Sequence, residues 1–118
     1  ELGAIVFIMK GYDGALSIYK KEEFDKLVSD FNSLPFNKKT IRDYLRVQLA
    51  SVVELEVDKA GRVQIPTLVL AKYNIAKDVM VLGTGDHIEV WNKDAYEQYE
   101  KESLASFEET AENLFGND

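Results

Sequence analysis

Few side chains in this sequence are of a type that does covalent chemistry, and their spacing leaves most reactions without a kit. There is no cysteine, and His87 is the single histidine. Thiolate zinc sites, disulfide frameworks and cysteine nucleophiles are excluded, and a histidine-ligated metal centre lacks ligands. No serine stands in a G-x-S-x-G setting, and neither H-E-x-x-H nor a phosphate-loop glycine pattern occurs. Glu22-Glu23 and Glu108-Glu109 read as solvated helix faces rather than paired catalytic acids. His87, next to Asp86 and just before an alternating strand, reads as a turn or surface histidine. The expectation is no enzyme, no metal and no cofactor.

What remains is recognition chemistry. Asp58-Lys59-Ala60-Gly61-Arg62 reads as a tight turn presenting two cations. Arg62 offers a planar fork for a phosphate or a guanine edge, and Lys59 a point charge for phosphate. Gly61 permits a positive φ, and Asp58 can fix the turn through its own backbone. By residue type alone, an ordinary turn with solvated charges is the commoner meaning of such a stretch. Lys38, Lys39, Arg42 and Arg46 lie within nine residues, and Lys39, Arg42 and Arg46 share one helical face that could track phosphates. Asp43 interrupts them, so a solvated face or salt bridges is the better reading.

The acid–base balance does not decide the matter. The chain has 14 basic and 21 acidic residues, a formal net charge of −7. Residues 94–118 hold eight acids and one base, so residues 1–93 are neutral. The acidity belongs to the C-terminal segment, and a local basic site elsewhere is compatible with it. At 118 residues and 46% hydrophobic, one compact domain with a buried core is expected, and no apolar run is long enough to span a membrane.

The elements that would position these residues come in two copies. Displaced by 72 residues without a gap, Phe7-Ile8-Met9 falls on Val79-Met80-Val81 and Gly11 on Gly83. Leu16-Ser17-Ile18-Tyr19 falls on Ile88-Glu89-Val90-Trp91, and Phe24-Asp25 on Tyr96-Glu97. Each copy reads as a strand, a glycine-bearing turn, an alternating strand and the start of a helix. The counterpart of Asp58 would fall before residue 1, so the offset predicts that roughly 20 further residues precede the first copy.

In detail, strands are expected at 5–9 and 15–19, followed by a helix burying Phe24, Leu27, Val28 and Phe31. Asn37 is expected to cap a second helix to Ala50, with Ile41, Leu45 and Leu49 inward. Strands at 55–57 and 63–65 should flank the Asp58–Gly61 turn, and Pro66 should open a short helix to Tyr73. After a hairpin at 79–83 and 87–91, Asn92 should cap a long helix with Tyr96, Tyr99, Leu104, Phe107, Ala111 and Leu114 inward. Trp91, Tyr19, Tyr96 and Tyr99 read as core or subunit contacts. The alternation of short strands and helices is α+β, and neither hairpin is large enough to stand without the other.

The order Asp58-x-x-x-Arg62, Ile65-Pro66, Val79–Gly83 and Ile88–Trp91 resembles the second repeat of the MraZ family. Gly11–Leu16 and Ser33–Phe36 resemble the end of its first repeat and the connector that follows. The resemblance implies a duplicated AbrB-like fold of the double-split β-barrel, swapped-hairpin type with flanking helices. It divides the chain into residues 1–31 as the remainder of repeat 1, without its first strands and D-x-x-x-R loop, and 32–51 as a helical connector. Residues 52–95 are then repeat 2 and 96–118 an acidic C-terminal helix.

The resemblance further implies a sequence-specific regulator, usually a repressor, of the bacterial division and cell-wall gene cluster and of its own promoter. Such proteins act in the cytoplasm on the nucleoid, as ring homo-oligomers bound to repeated boxes in double-stranded DNA, with no membrane partner. Carried over by position, Lys59 and Arg62 would contact DNA, while Asp58, Gly61 and Pro66 would shape the loop. Two other readings stay open: an AbrB-like antitoxin, and a ring-forming interaction module that binds no DNA.

Overall fold

The computed structural model describes residues 4–116. Five strands and five helices among them form an α+β arrangement built on one antiparallel sheet of order β3-β1-β2-β5-β4. Strands β1 (Ile5–Lys10) and β2 (Leu16–Lys20) form a hairpin that runs directly into α1 (Lys21–Asn32). Strands β4 (Val79–Gly83) and β5 (Ile88–Asn92) do the same and run into α4 (Lys93–Ala105). Between them lie α2 (Lys39–Ala50), β3 (Val53–Glu56) and α3 (Thr67–Lys72), and α5 (Phe107–Phe115) follows α4.

The two hairpins join through β2 and β5, where Ser17 faces Glu89, so each supplies the other's missing neighbour. Their registers differ slightly. Phe7 pairs with Tyr19 in the first hairpin, whereas Met80 pairs with Trp91 in the second. The 72-residue offset therefore holds for the second strand and helix, but the first strand is displaced by one more residue. The cause is the turn, which occupies residues 11–15 in one copy and 84–87 in the other. Strand β3 does not pair within the second unit; it lies antiparallel to β1, with Val53 opposite Ile8.

Alternation along the strands sends side chains to both faces of the sheet. On one face, Ile8, Leu16 and Val90 gather with Ile75 under α3, with Ile65, Val69 and Tyr73 packed around them. On the other, Met9, Phe31 and Leu45 form a second cluster under α1 and α2, and Phe7 stacks on Phe24 at 4.1 Å. Trp91 lies on this second face, and its ring meets Tyr96 at 5.2 Å and Tyr99 at 5.0 Å, which fixes α4 against β5.

Several sequence expectations are corrected. Residues 63–65 form no strand: Ile65 packs over the first core cluster, which draws the segment across the face of the sheet rather than along its edge. Asn37 caps nothing; α2 follows Lys38, with no side-chain cap. Leu49 is exposed, and Gln48 takes the buried position beside Leu45. Pro66 lies just before α3 rather than within its first turn. The long C-terminal helix breaks at Ser106, and Leu104, Phe107 and Leu114 are exposed, because beyond Tyr99 it runs past the sheet that would have covered them. Asn92 does cap α4, its Oδ1 accepting from the Ala95 N–H at 2.9 Å.

Candidate nucleic-acid interface

The loop at residues 58–62 leaves the end of β3, the outer strand of the sheet, and Val57 N–H donates to the Ala4 carbonyl at 2.9 Å beside it. An aspartate at the head of a turn can satisfy the backbone two residues on with its own side chain. Asp58 Oδ1 accepts from the backbone N–H of Ala60 at 2.9 Å and of Arg62 at 2.8 Å. Two backbone bonds close the same turn, from Asp58 N–H to the Arg62 carbonyl at 2.9 Å and from Gly61 N–H to the Asp58 carbonyl at 3.0 Å. Gly61 has φ +81°, a conformation that a side chain would strain. These four bonds hold the loop in one shape.

The carboxylate also aims the arginine. Arg62 Nε donates to Asp58 Oδ2 at 3.2 Å, and the Arg62 side chain is 79% exposed. With Nε held from behind, the terminal nitrogens of the guanidinium make no hydrogen bond among the described residues. Lys59 is exposed on the same turn. The backbone N–H of Arg62 is the largest influence on Asp58; with the Ala60 N–H and the Arg62 guanidinium it holds the carboxyl below the usual carboxylate value. Asp58 is therefore ionised near neutral pH, and the loop carries one net positive charge. Pro66 follows residues 62–65, which form neither helix nor strand, and its carbonyl accepts from Val69 and Leu70, so the loop's exit is anchored to α3.

The other candidates are occupied locally. Lys39 pairs with Asp43 at 2.8 Å, Arg42 donates to the Phe36 carbonyl at 3.2 Å, and the Arg46 guanidinium lies 5.7 Å from the Phe36 ring centre. Arg42 and Arg46 thus pin the connector between α1 and α2, and Lys39 is neutralised within α2, so they form no continuous stripe. His87 sits in the second hairpin turn, bonded to Asp86 at 2.7 Å and stacked on Tyr19 at 4.6 Å. Among the described residues no three acidic or histidine side chains cluster as a metal site, and no helix is long and apolar enough to cross a membrane.

Residues 49–118 match the family model described as MraZ protein, antitoxin-like. A "Transcriptional regulator MraZ" of Caldanaerobacter subterraneus is 40% identical over 114 residues, covering 97% of this chain and 80% of the relative. The chain belongs to the MraZ family. Proteins of the same name from Mesoplasma florum and Heliobacterium modesticaldum are 38% and 34% identical, covering 97% and 100% of this chain. The MraZ match takes in the 58–62 loop, the second hairpin and both C-terminal helices.

One pairing and one burial in this MraZ-family chain have no signal in the sequence. The hydroxyls of Tyr12 and Tyr44 meet although 32 residues separate them. Gln48 is buried on the sheet side of α2, where an amphipathic reading places only apolar residues.

Proposed function

We propose that this chain is a DNA-binding transcriptional regulator that contacts duplex DNA through Lys59 and Arg62. One observation carries the reading: an exposed cationic turn, braced from beneath by Asp58, in a chain whose relatives are named transcriptional regulators. A guanidinium held at Nε loses little freedom on binding, so its remaining donors are preorganised for a phosphate or a guanine edge. One such turn with a single net positive charge supports only weak binding. Several copies on repeated boxes would add through effective concentration, which fits a ring-shaped repressor of its own promoter and of the division and cell-wall gene cluster. The uncovered Leu104, Phe107, Leu114 and Phe115 on α4 and α5 supply apolar surface for contacts between copies. In this reading the acidic C-terminal helices lie away from the DNA.

The test is fluorescence anisotropy with a duplex from the gene's own promoter and a shuffled duplex of equal length. The wild type is expected to prefer the promoter, and Arg62→Ala to weaken that binding by roughly 5- to 150-fold. Equal binding of the promoter by both proteins would remove Arg62 from the interface. No selective binding at any salt concentration, together with an intact oligomer, would favour an assembly module; recovery of a small toxin bound to the chain would favour an antitoxin.

A further inference from the structure

After the break at Ser106, α5 packs mainly on α4, and its apolar stripe has no cover within the chain. Phe107, Leu114 and Phe115 are exposed, Phe115 at 84%. A run of uncovered apolar residues rimmed by polar ones marks an interaction surface. Here the rim is acidic: α5 carries Glu108, Glu109 and Glu112 and no basic residue. Among the described residues none of the three meets a cation.

The opposite character lies on α2 and the connector before it. Phe36 and Leu49 are exposed there, at 54% and 46%. Nη1 of Arg42 donates to the Phe36 carbonyl, and the Arg46 guanidinium lies over the Phe36 ring, so both cations are held beside apolar surface. Neither meets a carboxylate among the described residues. Residues at i, i+4 and i+7 share one face of a helix. On α2 that row reads Arg42, Arg46, Leu49, and on α5 it reads Glu108, Glu112, Phe115. The spacing is the same and the charges are opposite.

We propose that α5 of one copy docks on α2 of the next, with the Glu108–Glu112–Phe115 row against the Arg42–Arg46–Leu49 row. The proposal rests on the reading that copies assemble, and it names the two surfaces that meet. With the helices side by side in one direction, Arg42 faces Glu108, Arg46 faces Glu112 and Leu49 faces Phe115. The apolar residues supply the attraction and the ion pairs set the register. Docking α5 on a second α5 would instead set glutamates against glutamates, and like charges brought together oppose association. Because the two surfaces differ, each copy in a pair still has one surface free. Contacts of this head-to-tail kind close into a ring or run on as a filament.

Charge reversal in two separate chains tests the match. Glu108→Lys/Glu112→Lys makes both rows basic, and Arg42→Glu/Arg46→Glu makes both acidic. Each variant alone is expected to need at least about tenfold more protein than the wild type for half-assembly, read by light scattering. A one-to-one mixture restores opposite charges at every contact and is expected to recover the wild-type mass. The pair Glu112→Lys and Arg46→Glu repeats the test without disturbing the Arg42 bond to Phe36, and the same loss and recovery are expected. Wild-type assembly by Glu108→Lys/Glu112→Lys alone would overturn the proposal and leave assembly to another surface, as would mixtures no heavier than their components in both pairs. A wild type that stays monomeric at every concentration would overturn the proposal and the assembly reading together, leaving the 58–62 loop's part in DNA binding untouched.

Discussion

The two hairpin–helix units share a sequence pattern and differ in what surrounds them. Ile8 in the first unit and Val81 in the second occupy corresponding places, each opposite the matching residue of its partner strand, Ile18 or Val90. Ile8 is 0% exposed and Val81 58%. Strand β1 has a neighbour on each side, and Ile75 packs with Ile8 on its face, whereas β4 has one neighbour and nothing described lies over Val81. A repeated pattern therefore sets which way a side chain points, and the surrounding chain decides whether burial follows.

Substitution at those paired sites tests the contrast most strongly. Ile8→Ala is expected to cost about 2–5 kcal/mol in urea unfolding, the range for deleting buried methyl groups where the site cannot collapse. Val81→Ala is expected to cost less than about 1 kcal/mol, from lost strand preference alone. Similar costs at both would mean that Val81 is covered in solution.

Helix starts give the next largest difference. Asn92 caps α4 through its side chain, whereas Lys20, at the same place before α1, makes no cap bond. Asn92→Ala is expected to lower stability by about 1 kcal/mol, and Lys20→Asn to raise it by up to about 1 kcal/mol, read as shifts in the urea midpoint. A Lys20→Asn chain no more stable than the parent would show that the first unit depends on packing alone.

A smaller effect on folding is expected where the C-terminal helices leave the sheet. Phe107→Ser should leave unfolding within about 0.5 kcal/mol, since its ring is 62% exposed, yet lower the mass seen by light scattering. An unchanged mass would remove α5 from the proposed contacts between copies.

The smallest expected change is in the 58–62 loop itself. The Asp58 carboxyl is depressed by its bonds to the loop, so its contribution is present above the ordinary carboxylate value and is lost as pH falls through the lower folded value. Amide exchange at Ala60 and Arg62, relative to the rest of the chain, is expected to quicken only below about pH 4. Loosening near pH 6 would assign the loop's order to some other group.

Much of this was legible from residue types. The glycines near positions 11–14 and 83–85, the alternation in 16–19 and 88–91, and Asn92 before an amphipathic run mark hairpins and a helix start by local chemistry, and those elements form. The miss at residues 63–65 has a different origin. Their alternation is genuine, but Ile65 packs against the first core cluster instead of extending the sheet edge. Gln48 was hidden because helical spacing identifies a face and does not say which of its positions takes a polar side chain. Leu104, Phe107 and Leu114 have the spacing of a buried stripe, but spacing carries no information on whether the covering surface lies in the same chain. At the candidate site, the Asp58-x-x-x-Arg62 spacing suggested the turn, whereas the bond from Arg62 Nε to Asp58 depends on how the loop leaves β3.

The central claim, that Lys59 and Arg62 meet DNA phosphates or bases, is tested most directly by the salt dependence of binding. Affinity for the promoter duplex is measured between about 50 and 200 mM salt for the wild type and for the Lys59→Ala/Arg62→Ala double variant. Counterion release predicts that log K falls linearly with log salt, and that the variant's slope is shallower by about 0.9 for each phosphate these two side chains neutralise in the wild type. Parallel lines of equal height for the two proteins would contradict the account and place the DNA on another surface.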